Sequence, residues 1–269
     1  MTLLYSDPVF QEHRTGNHPE HPQRLEAVTK HLRWVGMDAL CRRPSWKPIS
    51  SQRLSLVHSL DHAERIKTFI EHGGGWIEQD TFVSSRSYEV ALLAAGAVCD
   101  AVERVVDGQD PRALCLVRPP GHHALPREVM GFCLFNHVAL AAAMATQELG
   151  LDRVLVVDWD VHHGNGTQAA FWEDERVGFL SIHRFPFYPG TGEACETGGG
   201  PGLGTTLNLP IKWGTPRQEF LDKFEQGLTT FAQQLRPQLI LVSSGFDAHR
   251  DDPVGSLGLE TEDFRRLTR

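Results

Sequence analysis

The chain has 269 residues, 41% of them hydrophobic and 22% charged, with a formal net charge of −8. A chain of this size buries roughly 70–75% of its unfolded surface, so one sizeable core is expected, and disorder or a collagen-like fibre is excluded. The acidic balance argues against nucleic acid as a direct partner, and no apolar run approaches the ~18 residues of a membrane span. The opening MTLLYSDPVF carries no secretory pattern, and five scattered cysteines without a C-x-x-C pair suit a reducing compartment, so a cytoplasmic location is expected. Histidine is the unusual count, at 14, and its placement has to decide what those rings do.

Taken in chain order, the first 75 residues read as helices and loops. Apolar spacing after Pro19 and Pro22 predicts a helix over 19–36, and a second over 55–71 stops at Gly73-Gly74-Gly75. Residues 86–107 form a helix whose small face, Ala91, Ala94, Ala95 and Ala97, suits close packing. From residue 113 short apolar runs alternate with helices. The runs cover 113–117, 154–161, 177–183 and 239–246; the helices cover 136–149, 167–173 and 216–235. Continuous apolar strands separated by helices predict a single α/β domain, a three-layer α/β/α arrangement around a mostly parallel sheet.

In open α/β sheets, ligands bind beyond the carboxyl ends of the strands. Each predicted strand ends in histidine or aspartate: RPPGHH at 118–123, DWDVHHGNG at 158–166, His183, and Asp247-Ala248-His249. On an extended chain Asp158, Asp160 and His162 project from one face. Asp160, His162 and Asp247 together offer two carboxylates and an imidazole, leaving a position for water as a catalytic metal site does. A divalent cation suits that set, and Fe²⁺ is among those it accepts. Two carboxylates largely neutralise such an ion, so a separate base is useful, and the tandem His122-His123 offers one. Asp158, not needed as a ligand, is placed to orient an imidazole from behind.

The motifs RPPGHHA (118–124), GFCLFN (131–136), DWDVHHGNGTQ (158–168), FYPGTG (187–192) and SSGFDAHRDDP (243–253), in this order, resemble the histone deacetylase family. The HPEHPQR stretch at 18–24 and Asn165 resemble its class II and bacterial branch. The resemblance implies the arginase–deacetylase α/β fold and a Zn²⁺-dependent amidohydrolase that removes acetyl groups from amines, typically the ε-amine of lysine. Asp160, His162 and Asp247 fall on the family's metal ligands, and His122 and His123 on its tandem pair, with His123 the base. Asp158 stands behind His122 and Asn165 behind His123. Phe132 and Tyr188 match the aromatic pair along the substrate channel, Gly131 the close loop approach beside it, and Asp80 a rim acid that accepts hydrogen bonds from the substrate backbone. A structural K⁺ on carbonyls around 158–162 and Ser181 is implied as well.

The resemblance further implies a following strand, a Gly-Gly-Tyr motif whose tyrosine meets the substrate carbonyl, and a closing helix. Residues 1–269 read as a deacetylase-like domain without these, and the tyrosines present, Tyr5, Tyr88 and Tyr188, lie outside any such motif. On that reading the chain as written is a poor catalyst. The expected substrate is an acetylated protein or peptide. Acetylpolyamines and other small acyl-amines are the alternative, disfavoured by the apolar Val254 near the expected rim, and a zinc-bearing acyl-lysine binding module is the non-catalytic one. No nucleic acid or membrane partner is expected, and an oligomer is left open.

Overall fold

Apolar runs without alternation become parallel strands in both parts of the chain, and loops at their ends carry the polar residues. A computed structural model describes residues 1–269, which form two units, Met1–Leu149 and Gly150–Arg269. The first unit contains β1 (Thr2–Tyr5), α1 (Pro22–Trp34), β2 (Cys41–Arg42), α2 (Ser51–Leu54), α3 (Leu60–Glu71), β3 (Gly75–Trp76), β4 (Phe82–Val83), α4 (Ser87–Val106), β5 (Arg112–Cys115) and α5 (His137–Gln147). The second contains β6 (Val154–Asp158), α6 (Asn165–Ala170), β7 (Val177–Arg184), β8 (Thr206–Ile211), α7 (Arg217–Leu235), β9 (Leu239–Ser243) and α8 (Thr261–Leu267). No helix is long and apolar enough to cross a membrane.

In the first unit β1 lies between β2 and β5, all parallel, and β3 pairs β4 in a short antiparallel ribbon. The small face of α4 is as expected: Ala91, Ala94, Ala95 and Ala97 are fully buried, and α4 packs against the alanine-rich α5. Strands β1 and β2 fall in a stretch that reads as helix and loop, because four and two residues are too short to show a period.

In the second unit the order is β8-β7-β6-β9, again parallel. Strand β6 is buried at every position, as a parallel strand covered on both faces requires. Its Leu155 and Val157, with Trp159 just beyond it, share a core with Phe220 and Phe224 of α7 and Phe264 of α8. Strand β8 is absent from the sequence reading because Asn208 and Pro210 interrupt its apolar run; proline is tolerated there because β8 is an edge.

One expectation fails in a way that matters. The strand read over 154–161 stops at Asp158, and Asp158, Asp160 and His162 do not share the face of an extended chain. Instead the Asp158 carboxylate accepts the Asp160 N–H at 3.1 Å, and the Asp160 carboxylate accepts the His162 N–H at 2.8 Å. Successive aspartate side chains capture the backbone two residues on and bend it, which competes with the ladder.

Two motifs that are far apart in sequence are joined by a buried ion pair. Arg118, first residue of RPPGHH, donates through Nη2 to Glu20 of HPEHPQR at 2.6 Å and also pairs with it through Nε. The side chains are 5% and 1% exposed, and Arg118 Nη1 further donates to the Phe10 and His13 carbonyls. Glu20→Ala would leave that guanidinium buried and uncompensated, at a cost of about 3–5 kcal/mol. Calorimetric unfolding of the variant is expected to show a clearly lowered midpoint; a parent-like midpoint contradicts the assignment.

Burial holds His13 at about 4, His58 at about 3, His137 at about 4 and His183 at about 4, so all four are neutral in the folded chain. Unfolded imidazoles take up protons as pH falls through about 6.5, before the folded ones do. Stability is therefore complete above about 6.5 and is lost as pH falls toward about 4, each ring adding a slope of up to about 1.4 kcal/mol per pH unit. Denaturant midpoints of the metal-free chain at about pH 7.5 and about pH 5.5 should differ accordingly; equal midpoints would contradict neutral burial.

Candidate metal centre and histidine pair

In the second unit, Asp160 and His162 sit in the bent segment after β6 and Asp247 in the loop after β9. Their ligand atoms lie within 4.8 Å of one another. His162 Nδ1 is 3.0 Å from Asp160 Oδ1 and 3.0 Å from Asp247 Oδ2. The other oxygen of Asp247 accepts the Val161 N–H at 2.8 Å, which ties the two loops together between Asp160 and His162. Gly245 permits the approach: a Cβ there would meet the Asp160 carboxylate, with Cγ at 2.6 Å.

The electrostatics call for a cation. Burial raises the Asp247 carboxyl, and the neighbouring Asp160 raises it further. Burial works against charge on His162, yet the carboxylates of Asp160 and Asp247, as hydrogen-bond acceptors and negative charges beside it, outweigh burial and raise the imidazole well above its ordinary range. Two hard oxygens and one nitrogen converging at this spacing fit a divalent metal ion.

Asp158 is fully buried at the end of β6, and Asn165 opens α6 with its N–H on the His163 carbonyl at 2.8 Å. Tyr188 is 37% exposed, with its ring 6.0 Å from that of His162 in an edge arrangement. Phe187 lies closer, stacked on His162 at 5.1 Å and 16°. The loop that carries both is held by Glu196, whose carboxylate accepts the Gly192 and Glu193 N–H groups and, at 2.6 Å, the Gln168 amide. Gln168 in turn meets His163 and Asn208.

In the first unit, the rings of His122 and His123 are 3.9 Å apart at 44°, both nearly buried. Pro119 O accepts from His137 Nε2 at 2.9 Å, so the segment that carries the pair is fixed at Arg118 and Pro119. A Cβ on Gly131 would collide with the His123 ring, 2.7 Å from Cγ. Gly131 and Phe132 both have positive φ, 56° and 70°, between the mutually hydrogen-bonded Met130 and Cys133. That is the pattern of a type I′ turn, and phenylalanine in it is strained.

Neighbours hold the strained turn. Asp80 Oδ1 accepts the Gly131 N–H at 3.2 Å and the Thr81 hydroxyl at 2.9 Å, and Thr81 Oγ1 accepts the Phe132 N–H at 3.0 Å. His18 donates to the Asp80 carbonyl at 2.9 Å and meets the Phe132 ring edge-on at 4.6 Å. Asp80, expected only at the rim, thus also supports the Gly131–Phe132 turn. Thr81, His18, Phe187 and Glu196 are supporting residues that the sequence reading does not pick out. His18 and Phe187 open the quoted HPEHPQR and FYPGTG stretches, and Thr81 is the neighbour of Asp80.

Comparison with known proteins places these clusters in a family. The histone deacetylase domain profile matches residues 18–269. Histone deacetylase 15 of Arabidopsis thaliana is 38% identical over 94% of this chain and 46% of its own length. A histone deacetylase-like amidohydrolase of Pseudomonas aeruginosa is 38% identical over 94% of this chain and 66% of its own. The chain therefore spans between about half and two thirds of these relatives. The crystal structure of the HDA15 HD domain superposes with a TM-score of 0.89 at 35% identity, covering 94% of this chain and 75% of that one. With the mostly parallel α/β architecture and the Asp–His–Asp cluster of the second unit, these matches establish that the chain belongs to the histone deacetylase family, whose members are hydrolases.

Proposed function

We propose that the chain is a metal-dependent deacetylase that removes acetyl or related acyl groups from the ε-amine of lysine in proteins or peptides. The observation that carries this reading is the convergence of Asp160, His162 and Asp247 in a chain of this family. These side chains would hold a divalent ion, with Zn²⁺ the first choice and Fe²⁺ accepted by the same donors. When bound, the ion supplies Lewis-acid polarisation of the amide carbonyl and acidifies a water.

The proton traffic falls to the chain's own residues. His123 takes a proton from the attacking water as it adds to the amide carbon. The C–N bond then breaks, and the leaving nitrogen receives a proton from a histidine of the pair, giving acetate and free lysine amine. Asp158 acts behind His122 and Asn165 behind His123. An amide stabilises an imidazolium less than a carboxylate does, so the two rings differ in basicity. Phe132 and Tyr188 flank the lysine stem, and Asp80 accepts hydrogen bonds from the substrate backbone. A structural K⁺ on the carbonyls around 158–162 and on Ser181, and a cytoplasmic setting, belong to the same proposal.

The decisive experiment loads the chain with Zn²⁺ and measures hydrolysis of an acetyl-lysine peptide against acetylputrescine. Faster turnover of the peptide is expected; the reverse order would move the substrate to small amines, and no turnover of either would remove the enzymatic reading. His123→Ala is expected to lower peptide turnover about 10²–10⁴-fold with metal content retained; an unchanged rate removes its role as base. Asp247→Asn should weaken Zn²⁺ binding by more than the roughly 10–100-fold typical of residues that only support ligands, as read by chelator competition. Parent-like affinity would exclude Asp247 as a ligand.

A further inference from the structure

We infer that Arg184 is a positioning residue for the metal centre, fixing the plane of His162 through Phe187 and the place of Asp247 through Gly255. This rests on the proposal that Asp160, His162 and Asp247 hold a metal ion. Arg184 ends β7, and its backbone N–H donates to the Val161 carbonyl at 2.8 Å, between the ligands Asp160 and His162. Its guanidinium carbon lies 4.1 Å from the centroid of the Phe187 ring. Phe187 is stacked on His162 with the planes only 16° apart. Arg184 Nη1 donates to the Gly255 carbonyl at 3.1 Å. Gly255 is packed against Val161 so tightly that a Cβ would lie 2.5 Å from Val161 Cγ1, and the next residue, Ser256, donates its N–H to the Asp247 carbonyl at 2.9 Å.

One side chain and its own backbone therefore touch all three segments on which the ligands depend. The geometry matters because the lone pair of His162 Nδ1 lies in the ring plane, so a ring free to turn carries its donor atom off the metal direction. Phe187 restricts that turn, and the guanidinium pressed on it restricts Phe187. The residue type is informative too. A cation one aromatic ring away from a cation site is electrostatically unhelpful, and Arg184 Nε is buried with no hydrogen-bond partner. What the site uses is the flat face and the reach of Nη1, which lysine cannot supply together.

The test uses Zn²⁺ affinity by chelator competition and the visible spectrum of the Co²⁺-loaded protein, each read beside thermal unfolding of the metal-free chain. Arg184→Lys, Arg184→Ala and Phe187→Leu are each expected to weaken Zn²⁺ binding about 10–100-fold and to shift the Co²⁺ bands, with the metal-free midpoint close to the parent's. Parent-like affinity and spectrum in Arg184→Lys and Phe187→Leu would overturn the inference, as would a lowered midpoint with unchanged affinity. If Arg184→Ala does not fold, the other two variants decide. A parent chain that takes up no Zn²⁺ overturns the metal reading itself, whereas a tightly bound ion insensitive to Arg184 overturns only this role.

Discussion

Two carboxylates set against one imidazole nitrogen, each 3.0 Å from His162 Nδ1, impose the constraint around which the second unit is organised. Like charges at this separation resist joint ionisation unless positive charge sits between them. The surrounding chain enforces the approach all the same. Asp158 and Asp160 bend the backbone after β6, Val161 donates to Asp247, and Gly245 leaves room for Asp160. Strand pairing supplies the leverage: β6 lies between β7 and β9, in register from Val154 to Asp158 with both. The loops that follow β6 and β9 therefore start side by side, and their acids have little freedom to separate.

The first unit meets a different demand by similar means. Phe132 occupies a left-handed conformation, which costs an L-residue roughly 1–2 kcal/mol, and the turn persists because Thr81, Asp80 and His18 over-determine it. The same turn presses Gly131 onto His123. Strain at one residue and burial of a neighbouring imidazole thus have one origin. The Arg118–Glu20 pair does the corresponding work at the start of the histidine segment, where a flexible loop would otherwise carry two adjacent polar rings.

The grouping of Asp160, His162 and Asp247 was legible in the sequence, and much of what positions it was not. Asp160, His162 and Asp247 announce themselves by residue type and by position at strand ends, and the motif order carried the family. Alternation along a strand predicts a shared face for Asp160 and His162, whereas side-chain capture of backbone N–H groups produces the actual bend. Period-two reasoning cannot see that competition, because aspartate looks the same as a ligand and as a turn former. Strands β1 and β8 escaped for simpler reasons, the one too short to show a period and the other interrupted by Asn208 and Pro210. Arg184 and Phe187 escaped because their effect is a stacking geometry, which no spacing encodes.

The histidine count shows how far composition can mislead about chemistry. Most of the buried rings act as ties between loops. His18 donates to Asp80 O, His58 to Leu125 O, His62 to Leu134 O, His137 to Pro119 O and His183 to Gly192 O. A neutral imidazole suits that task because it can donate from one edge and accept on the other, as His58 does with the Asn136 N–H at 2.8 Å. For His58, His62, His137 and His183, burial penalises the charged form and lowers the ring below its ordinary value. His162 stands apart because its partners are carboxylates, and they reverse the balance that keeps the tying histidines uncharged. The partner, rather than the residue, separates the tying histidines from one that could hold a metal: a carbonyl is satisfied by a neutral ring, whereas a pair of carboxylates favours a positive charge beside it, and a divalent ion on the Asp160, His162 and Asp247 cluster would supply that charge without a proton on the ring.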